Sequence, residues 1–285
     1  MSPSAATSMA VAARRGRRYP VPRPFVKWVG GKAQILAELR KRMPPEFGTY
    51  HEPFVGGGAL FFATKPTRAV LSDGNERLIR AYRGVRDDVD GVIRRLRKMR
   101  NDKEFYLRIR SEPIDAARRD AAVAAWLIYL NKCGFNGLYR VNRRNGFNVP
   151  YGRNPNATIC DEENLRACSA RLRGVQLHHG DFAAVADRAE PGDFVYFDPP
   201  YVPVSATADF TSYTSDGFGM AEQIKLRDVA LALKRNGVHV MLSNSASPIV
   251  RKLYREDFTL DRILATRAVN SRADRRGKVG ELLIR

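Results

Sequence analysis

Asp198-Pro199-Pro200-Tyr201 is the stretch whose residue types and spacing most directly suggest chemistry. It follows the apolar run Phe194-Val195-Tyr196-Phe197, which reads as a buried parallel strand. A carboxylate and a ring at the end of such a strand stand at the carboxyl edge of a sheet, where α/β proteins bind ligands. Neither proline has an N–H to give to a sheet ladder, so the turn is stiff and its carbonyl oxygens are left to accept. A planar substrate amine placed there can donate to Asp198 and to the Pro199 carbonyl while its ring lies on Tyr201. Taken alone, the tetrapeptide also reads as a strand end with a proline turn and a stacked surface tyrosine.

The segments that must position this corner fall into α/β order. Phe25-Val26-Lys27-Trp28-Val29-Gly30-Gly31-Lys32 runs into a helix with Ile35, Leu36 and Leu39 at helical spacing, and Lys32 at its start can meet a carboxylate. Tyr50-His51-Glu52 reads as a first strand, followed by Pro53-Phe54-Val55-Gly56-Gly57-Gly58 and an apolar helix. Glycines after a first strand let a cofactor pass close to the backbone, although Phe61 stands where the dinucleotide fingerprint needs a third glycine. Ala69-Val70-Leu71 predicts a second strand ending at Ser72-Asp73, an acid placed to meet a ribose diol or to turn the chain, and Asn75 can cap the next helix. Val175-Gln176-Leu177, Val238 to Leu242 ending in Ser243-Asn244, Phe258 to Leu264 and Leu282 to Ile284 complete the predicted strands, with a helix over Ala221 to Arg235.

Strict alternation breaks between Asp87 and Lys132, where the pattern is helical and rich in Arg and Lys, and the apolar stretch Ala121 to Leu130 predicts a buried helix. Beyond it, Asn145-Gly146 between alternating residues predicts a β-ribbon over Tyr139 to Val149 bearing Arg140, Arg143 and Arg144. Such a ribbon fits a major groove, where arginine pairs bidentately with guanine; it also fits an exposed basic hairpin that touches only phosphates. After Tyr201, Ser205 and Thr207 lie in a polar, glycine-bearing stretch and are available to phosphates or to a lid.

Across 285 residues the formal net charge is +19, which points to a polyanion, nucleic acid before an anionic membrane surface. No apolar run approaches the roughly 18 residues of a membrane span. Cys133, Cys160 and Cys168 are odd in number and lack CxxC spacing, which argues against a disulfide framework or a zinc site and for a reducing compartment. Residues 1–23 carry arginines and no acid, and read as a disordered basic arm.

These pieces in this order resemble the Dam family of DNA adenine-N6 methyltransferases, S-adenosylmethionine-dependent enzymes of the DPPY type. The resemblance rests on KWVGGK at Lys27 to Lys32, PFVGGG at Pro53 to Gly58, the acid Asp73, NGLYRVN at Asn136 to Asn142 with FNVP ending at Pro150, DPPY itself and the closing Glu281-Leu282-Leu283. It implies a Rossmann-like methyltransferase sheet: a catalytic domain from residues 24–86 and 173–285, and an inserted target-recognition domain over 87–172. It further implies that Trp28, Gly31, Lys32, Phe54, Gly56, Gly58, Asp73, Asp181, Phe182 and Asp198 hold S-adenosylmethionine, Lys32 through its methionyl carboxylate, Asp73 through its ribose and Asp181 through its adenine amino group. Asn136, Leu138, Tyr139, Arg140, Arg143, Arg144, Pro150 and Ser205 would meet DNA, Arg140 reading a guanine, possible within the prototype's GATC site. Asp198, Pro199 and Tyr201 would be catalytic. A cytoplasmic monomer acting on duplex DNA without metal, bacterial or phage-encoded, follows from the same resemblance.

The residues agree with that chemistry. An adenine N6 lone pair is delocalised into the ring, and hydrogen bonds to Asp198 and the Pro199 carbonyl favour a pyramidal, nucleophilic nitrogen. A paired base must be flipped out at a cost of a few kcal/mol, and Tyr201 would receive its face. At this level methylation of cytosine N4 or an RNA adenine, a DNA-binding relative that has lost catalysis, and a nicotinamide dehydrogenase stay open, although the last explains neither DPPY nor the charge.

Overall fold

The computed structural model describes residues 20–202, 218–266 and 278–285. Seven strands form one sheet: β1 (Tyr50–Glu52), β2 (Ala69–Asp73), β3 (Gln176–His179), β4 (Phe194–Phe197), β5 (His239–Ser245), β6 (Leu260–Thr266) and β7 (Lys278–Ile284). Their order is β3-β2-β1-β4-β5-β7-β6, parallel from β3 to β5, with β7 antiparallel to both of its neighbours. β1 and β4 are buried at every position, as strands covered on both faces must be. This is the Rossmann-like sheet that the resemblance implies.

Topology places the site. From β1 the chain builds outward to β2 and β3, then crosses back so that β4 pairs with the other side of β1, Tyr50 beside Phe194 and His51 beside Val195. The order therefore reverses between β1 and β4, and the crevice such a reversal opens lies at their carboxyl ends, Glu52 and Phe197, one residue before Asp198. β5 extends past the predicted Leu242 through Ser243 and Asn244 to Ser245, which pair with Leu283, Leu282 and Glu281 of β7. Those polar side chains are buried in the sheet and carry the contacts described below.

Nine α-helices occur among the described residues: α1 (Leu36–Arg42), α2 (Ala59–Thr64), α3 (Glu76–Asp87), α4 (Val89–Leu96), α5 (Lys103–Arg110), α6 (Asp120–Cys133), α7 (Glu162–Leu172), α8 (Met220–Arg235) and α9 (Pro248–Tyr254). Caps fix several starts: side chains of Asn75, Asp88, Asp102, Asp161 and Ser247 accept from first-turn amides, and Pro248 follows Ser247 at the first helical position. α6 is buried almost all round, as its composition predicts, and packs on α3 and α4. One continuous apolar cluster runs from Leu39, Phe61 and Tyr82 through Trp126 and Tyr129 to Phe147 and Leu165, so the helical region and the sheet share a core. Cys133 and Cys168 are buried in it, and all three cysteines are free.

Two local expectations change. Arg23, read as the end of the arm, is docked on α7: its guanidinium pairs with Asp161, and its backbone N–H and carbonyl bond the Asn164 side chain at 3.0 Å each. The predicted ribbon is reduced to a bridge between Val141 and Phe147, with a second between Gly134 and Tyr151. Its turn centres on Arg143-Arg144, because the Asn142 side chain accepts from the amides of Arg144 and Gly146 (2.9 Å each) and Asn145 takes the left-handed conformation, φ 58°.

Asn131 ties the segment before α1 to this hairpin. Its amide accepts from the Lys27 N–H (2.7 Å) and donates to the carbonyls of Lys27 (2.9 Å) and Gly137 (2.7 Å), all at 2 % exposure. Replacing it by alanine strands three main-chain groups, so Asn131→Ala is expected to cost about 2 to 4 kcal/mol in urea unfolding, against about 1 kcal/mol for the Asn75→Ala cap variant.

Candidate active site

Asp198 leaves the end of β4 and meets two partners through the same oxygen. Oδ1 accepts from Lys32 Nζ at 2.7 Å and from Ser243 Oγ at 3.0 Å. Lys32 also donates to the Gly30 carbonyl and lies 4.8 Å from the centre of the Tyr201 ring. Ser243 is itself bonded to Tyr196 Oη at 2.8 Å. Both of these bonds fall on Oδ1. Burial raises the Asp198 pKa, and the Lys32 ammonium and the Ser243 hydroxyl work against that rise. The Tyr201 hydroxyl donates to Glu281 Oε2 at 3.0 Å, which fixes the ring by its far edge.

Lys32, expected at the cofactor's methionyl carboxylate, pairs here with Asp198. A Cβ on Gly56 (φ +47°) would come within 2.7 Å of Trp28 Cδ1, and one on Gly58 (φ +67°) within 2.7 Å of the Tyr82 hydroxyl, so both glycines are already needed for packing. Gly31 closes a turn by donating to the Trp28 carbonyl. Asp73, half-buried at the end of β2, accepts from the amides of Gly56 (3.0 Å) and Asn75 (2.9 Å) and so shapes the glycine loop. Phe54 stacks on Phe182 with centroids 5.2 Å apart, and Phe218 packs against both. Exposed Asp181 pairs with Lys225 at 2.8 Å and accepts from the Ala183 amide.

The recognition candidates gather around the hairpin. Trp28 stacks on Tyr139 at 5.2 Å, which joins a residue expected at the cofactor to one expected at DNA. Arg140, Arg143, Arg144, Asn136 and Pro150 are exposed, Leu138 is half-buried, and Ser205 lies outside the described residues. Arg140 rests on Asn148, donating to its side-chain oxygen (2.7 Å) and its carbonyl (3.2 Å). Arg77 of α3 anchors the turn by gripping Asp115 with two bonds of 2.6 Å and donating to the Asn145 carbonyl at 2.7 Å.

Sequence reading missed Phe135, Ser243 and Glu281 as participants. Phe135 is 49 % exposed beside Asn136 in the left-handed conformation, a large apolar ring at the surface of the hairpin segment. The aromatic before Asn136-Gly137 was a usable signal; the contacts of Ser243 and Glu281 depend on strand pairing and left none.

Glu52, at the end of β1 and 3 % exposed, accepts from the Tyr50 hydroxyl at 2.8 Å, and burial pushes its pKa up to about 8. A carboxyl that ionises near 4.5 unfolded and near 8 folded stabilises fully below 4.5 and loses that contribution as pH rises through 8. Glu52→Gln should therefore flatten the decline in unfolding free energy between about pH 4.5 and 8, read by denaturant titration at several pH values.

Residues 28–269 match the model of the D12 class of N6 adenine-specific DNA methyltransferases. A Type II methyltransferase of Lactococcus lactis subsp. cremoris is 44% identical over 92% of this chain and 94% of its own length. A Type II methyltransferase of Methanocaldococcus jannaschii is 40% identical over 92% and 98%, and a DNA adenine methylase of Vibrio cholerae is 34% identical over 92% and 95%. With DPPY at the sheet's reversal point and a family match spanning both the corner and the hairpin, the chain belongs to the D12 class of N6 adenine-specific DNA methyltransferases.

Proposed function

We propose that this DNA adenine methyltransferase takes its methyl group from S-adenosylmethionine and delivers it to N6 of an everted adenine, within GATC, using Asp198, Pro199 and Tyr201. The observation that carries the reading is the Asp198 carboxylate, fixed through Oδ1 by Lys32 and Ser243. Oδ2 and the Pro199 carbonyl accept from N6, turn its lone pair out of the ring and stabilise the positive charge that grows on nitrogen. The Tyr201 ring, held through Glu281, takes the face of the base.

The chain's own residues fit the cofactor. Beyond the ends of β2 and β3, a Cβ built on Gly74 or Gly180 would meet nothing within 4 Å, and half-buried Asp73 directly precedes Gly74. Asp73 would hold the ribose hydroxyls; Phe54, Phe182 and Asp181 the adenine; Trp28, Gly31, Gly56 and Gly58 the wall of the pocket. Lys32, already beside Asp198, would stand between that carboxylate and the cofactor's own. When bound, S-adenosylmethionine supplies an electrophilic sulfonium methyl.

Recognition is assigned to residues 87–172, with Arg140 reading a guanine, Asn136, Leu138, Tyr139 and Pro150 flanking it, Arg143 and Arg144 on phosphates, and Phe135 as a wedge that fills the gap left by the everted base. Ser205 is kept as a phosphate contact. The enzyme would act as a monomer in the cytoplasm; no described helix is long and apolar enough to cross a membrane. Type II naming among the relatives makes pairing with a restriction endonuclease the natural setting.

Asp198→Ala should keep duplex and cofactor affinity while single-turnover transfer, followed by mass spectrometry of N6-methyldeoxyadenosine, falls about 10²- to 10³-fold; wild-type turnover would remove Asp198 from the reaction. Arg140→Ala should lose about 1 to 3 kcal/mol of discrimination at one base pair, seen as methylation spreading to near-cognate duplexes. Equal loss on every duplex would make Arg140 a phosphate contact, and DNA that stays cleavable by a nuclease blocked by GATC methylation would overturn the site assignment.

A further inference from the structure

Tyr201 is gripped by main-chain contacts on both sides. The Pro200 carbonyl accepts from Gln223 Nε2 at 2.9 Å, and the Val202 N–H donates to Asn244 Oδ1 at 3.2 Å. The two side chains are joined, Asn244 Nδ2 donating to Gln223 Oε1 at 3.1 Å, while Asn244 Oδ1 also accepts from the Ser245 N–H at 2.8 Å. The donor and acceptor sense of each amide is thereby fixed along the chain of bonds.

Gln223 lies in the first turn of α8 and is 2 % exposed; Asn244 lies on β5 and is 0 % exposed. Buried amides are costly unless paired, and here all four side-chain polar atoms are paired, two of them to the loop that carries the reaction. The loop needs outside support because Pro199 and Pro200 have no N–H with which to pin themselves. Ser243 and Glu281 hold the side chains of Asp198 and Tyr201; Gln223 and Asn244 hold the backbone between and beyond them.

We propose that Gln223 and Asn244 are positioning residues for methyl transfer, acting as one amide relay that sets the peptide planes on either side of Tyr201 and so aligns its ring and the proline turn with Asp198. They touch no reacting atom. The inference rests on Asp198 to Tyr201 being the site of transfer.

Gln223→Glu turns the donor facing the Pro200 carbonyl into an acceptor. Misplacing a catalytic group by about 1 Å costs about 10²-fold, so its single-turnover rate should fall about 10- to 100-fold. The thermal midpoint should fall, because a buried carboxyl now faces a carbonyl, while affinities for S-adenosylmethionine and for the duplex, measured well below that midpoint, should stay close to wild type. Emission from 2-aminopurine at the target position should rise as the everted base stacks less well on Tyr201. Asn244→Asp keeps the acceptor for Val202 and Ser245 but loses the donor to Gln223; it should show the same split more weakly, and it carries the test if Gln223→Glu fails to fold. Because the amides act in series, Gln223→Ala with Asn244→Ala should be no slower than the slower single variant. A rate within about threefold of wild type in both Gln223→Glu and Asn244→Asp would overturn the relay, as would rate and both affinities falling together in folded protein below the midpoint, the mark of a merely structural role. Wild-type activity in Asp198→Ala would instead strike the reading of the site, and the relay with it.

Discussion

An acidic side chain is held at the end of a buried strand by an ion pair, and the architecture around β4 is arranged about that contact. Taking Asp198 out of water disfavours its ionised form, and a lone ammonium opposite would cost desolvation of its own. The chain meets both costs with one cluster: Lys32 gives Asp198 a counter-charge, the Gly30 carbonyl and the Tyr201 ring give Lys32 further electron-rich neighbours, and Ser243 adds a neutral donor. The members come from three separate parts of the sequence, Gly30 to Lys32, Asp198 to Tyr201 and Ser243, so the corner exists only when β4 and β5 lie side by side, and β7 beyond β5 brings Glu281 to Tyr201.

The same economy links the corner to the hairpin. Trp28 fills the space that Gly56 leaves and stacks on Tyr139, while Asn131 fastens the backbone at Lys27 to that at Gly137. Arg77, four residues beyond Asp73, secures the far side of the hairpin through Asp115 and Asn145. The hairpin proposed to meet a base is thus braced against the glycine loop proposed to meet the cofactor by packing and by buried hydrogen bonds, which shift less readily than a surface loop.

Charge is distributed in a complementary way. Many arginines on the helical side are neutralised locally, Arg80 by Asp120 and Arg166 by Asp90 and Glu162, whereas Arg143 and Arg144 stand exposed at the hairpin tip. The large net positive charge therefore gives long-range attraction to a polyanion, and the hairpin tip offers exposed arginines to it.

Much of this was legible in the residues alone. DPPY after an apolar run, glycines after the first strand, Asp73 at the end of the second and the buried helix over Ala121 to Leu130 follow from local periodicity and backbone chemistry, which short segments carry within themselves. The hairpin was legible in kind but not in register, because the Asn142 side chain competes for the turn that Asn145-Gly146 advertises. The partners of Asp198 and Tyr201 were not legible: Lys32, Ser243, Gln223, Asn244 and Glu281 stand far along the chain from the groups they hold, from 23 residues for Gln223 and Pro200 to 80 for Glu281 and Tyr201 and more for Lys32 and Asp198, and converge through strand order. Sequence determined which groups could do the chemistry and roughly where each stands along its element. Tertiary structure decided which of them touch, since a contact between the ends of non-consecutive strands depends on pairing and packing across the whole sheet, which no local pattern encodes.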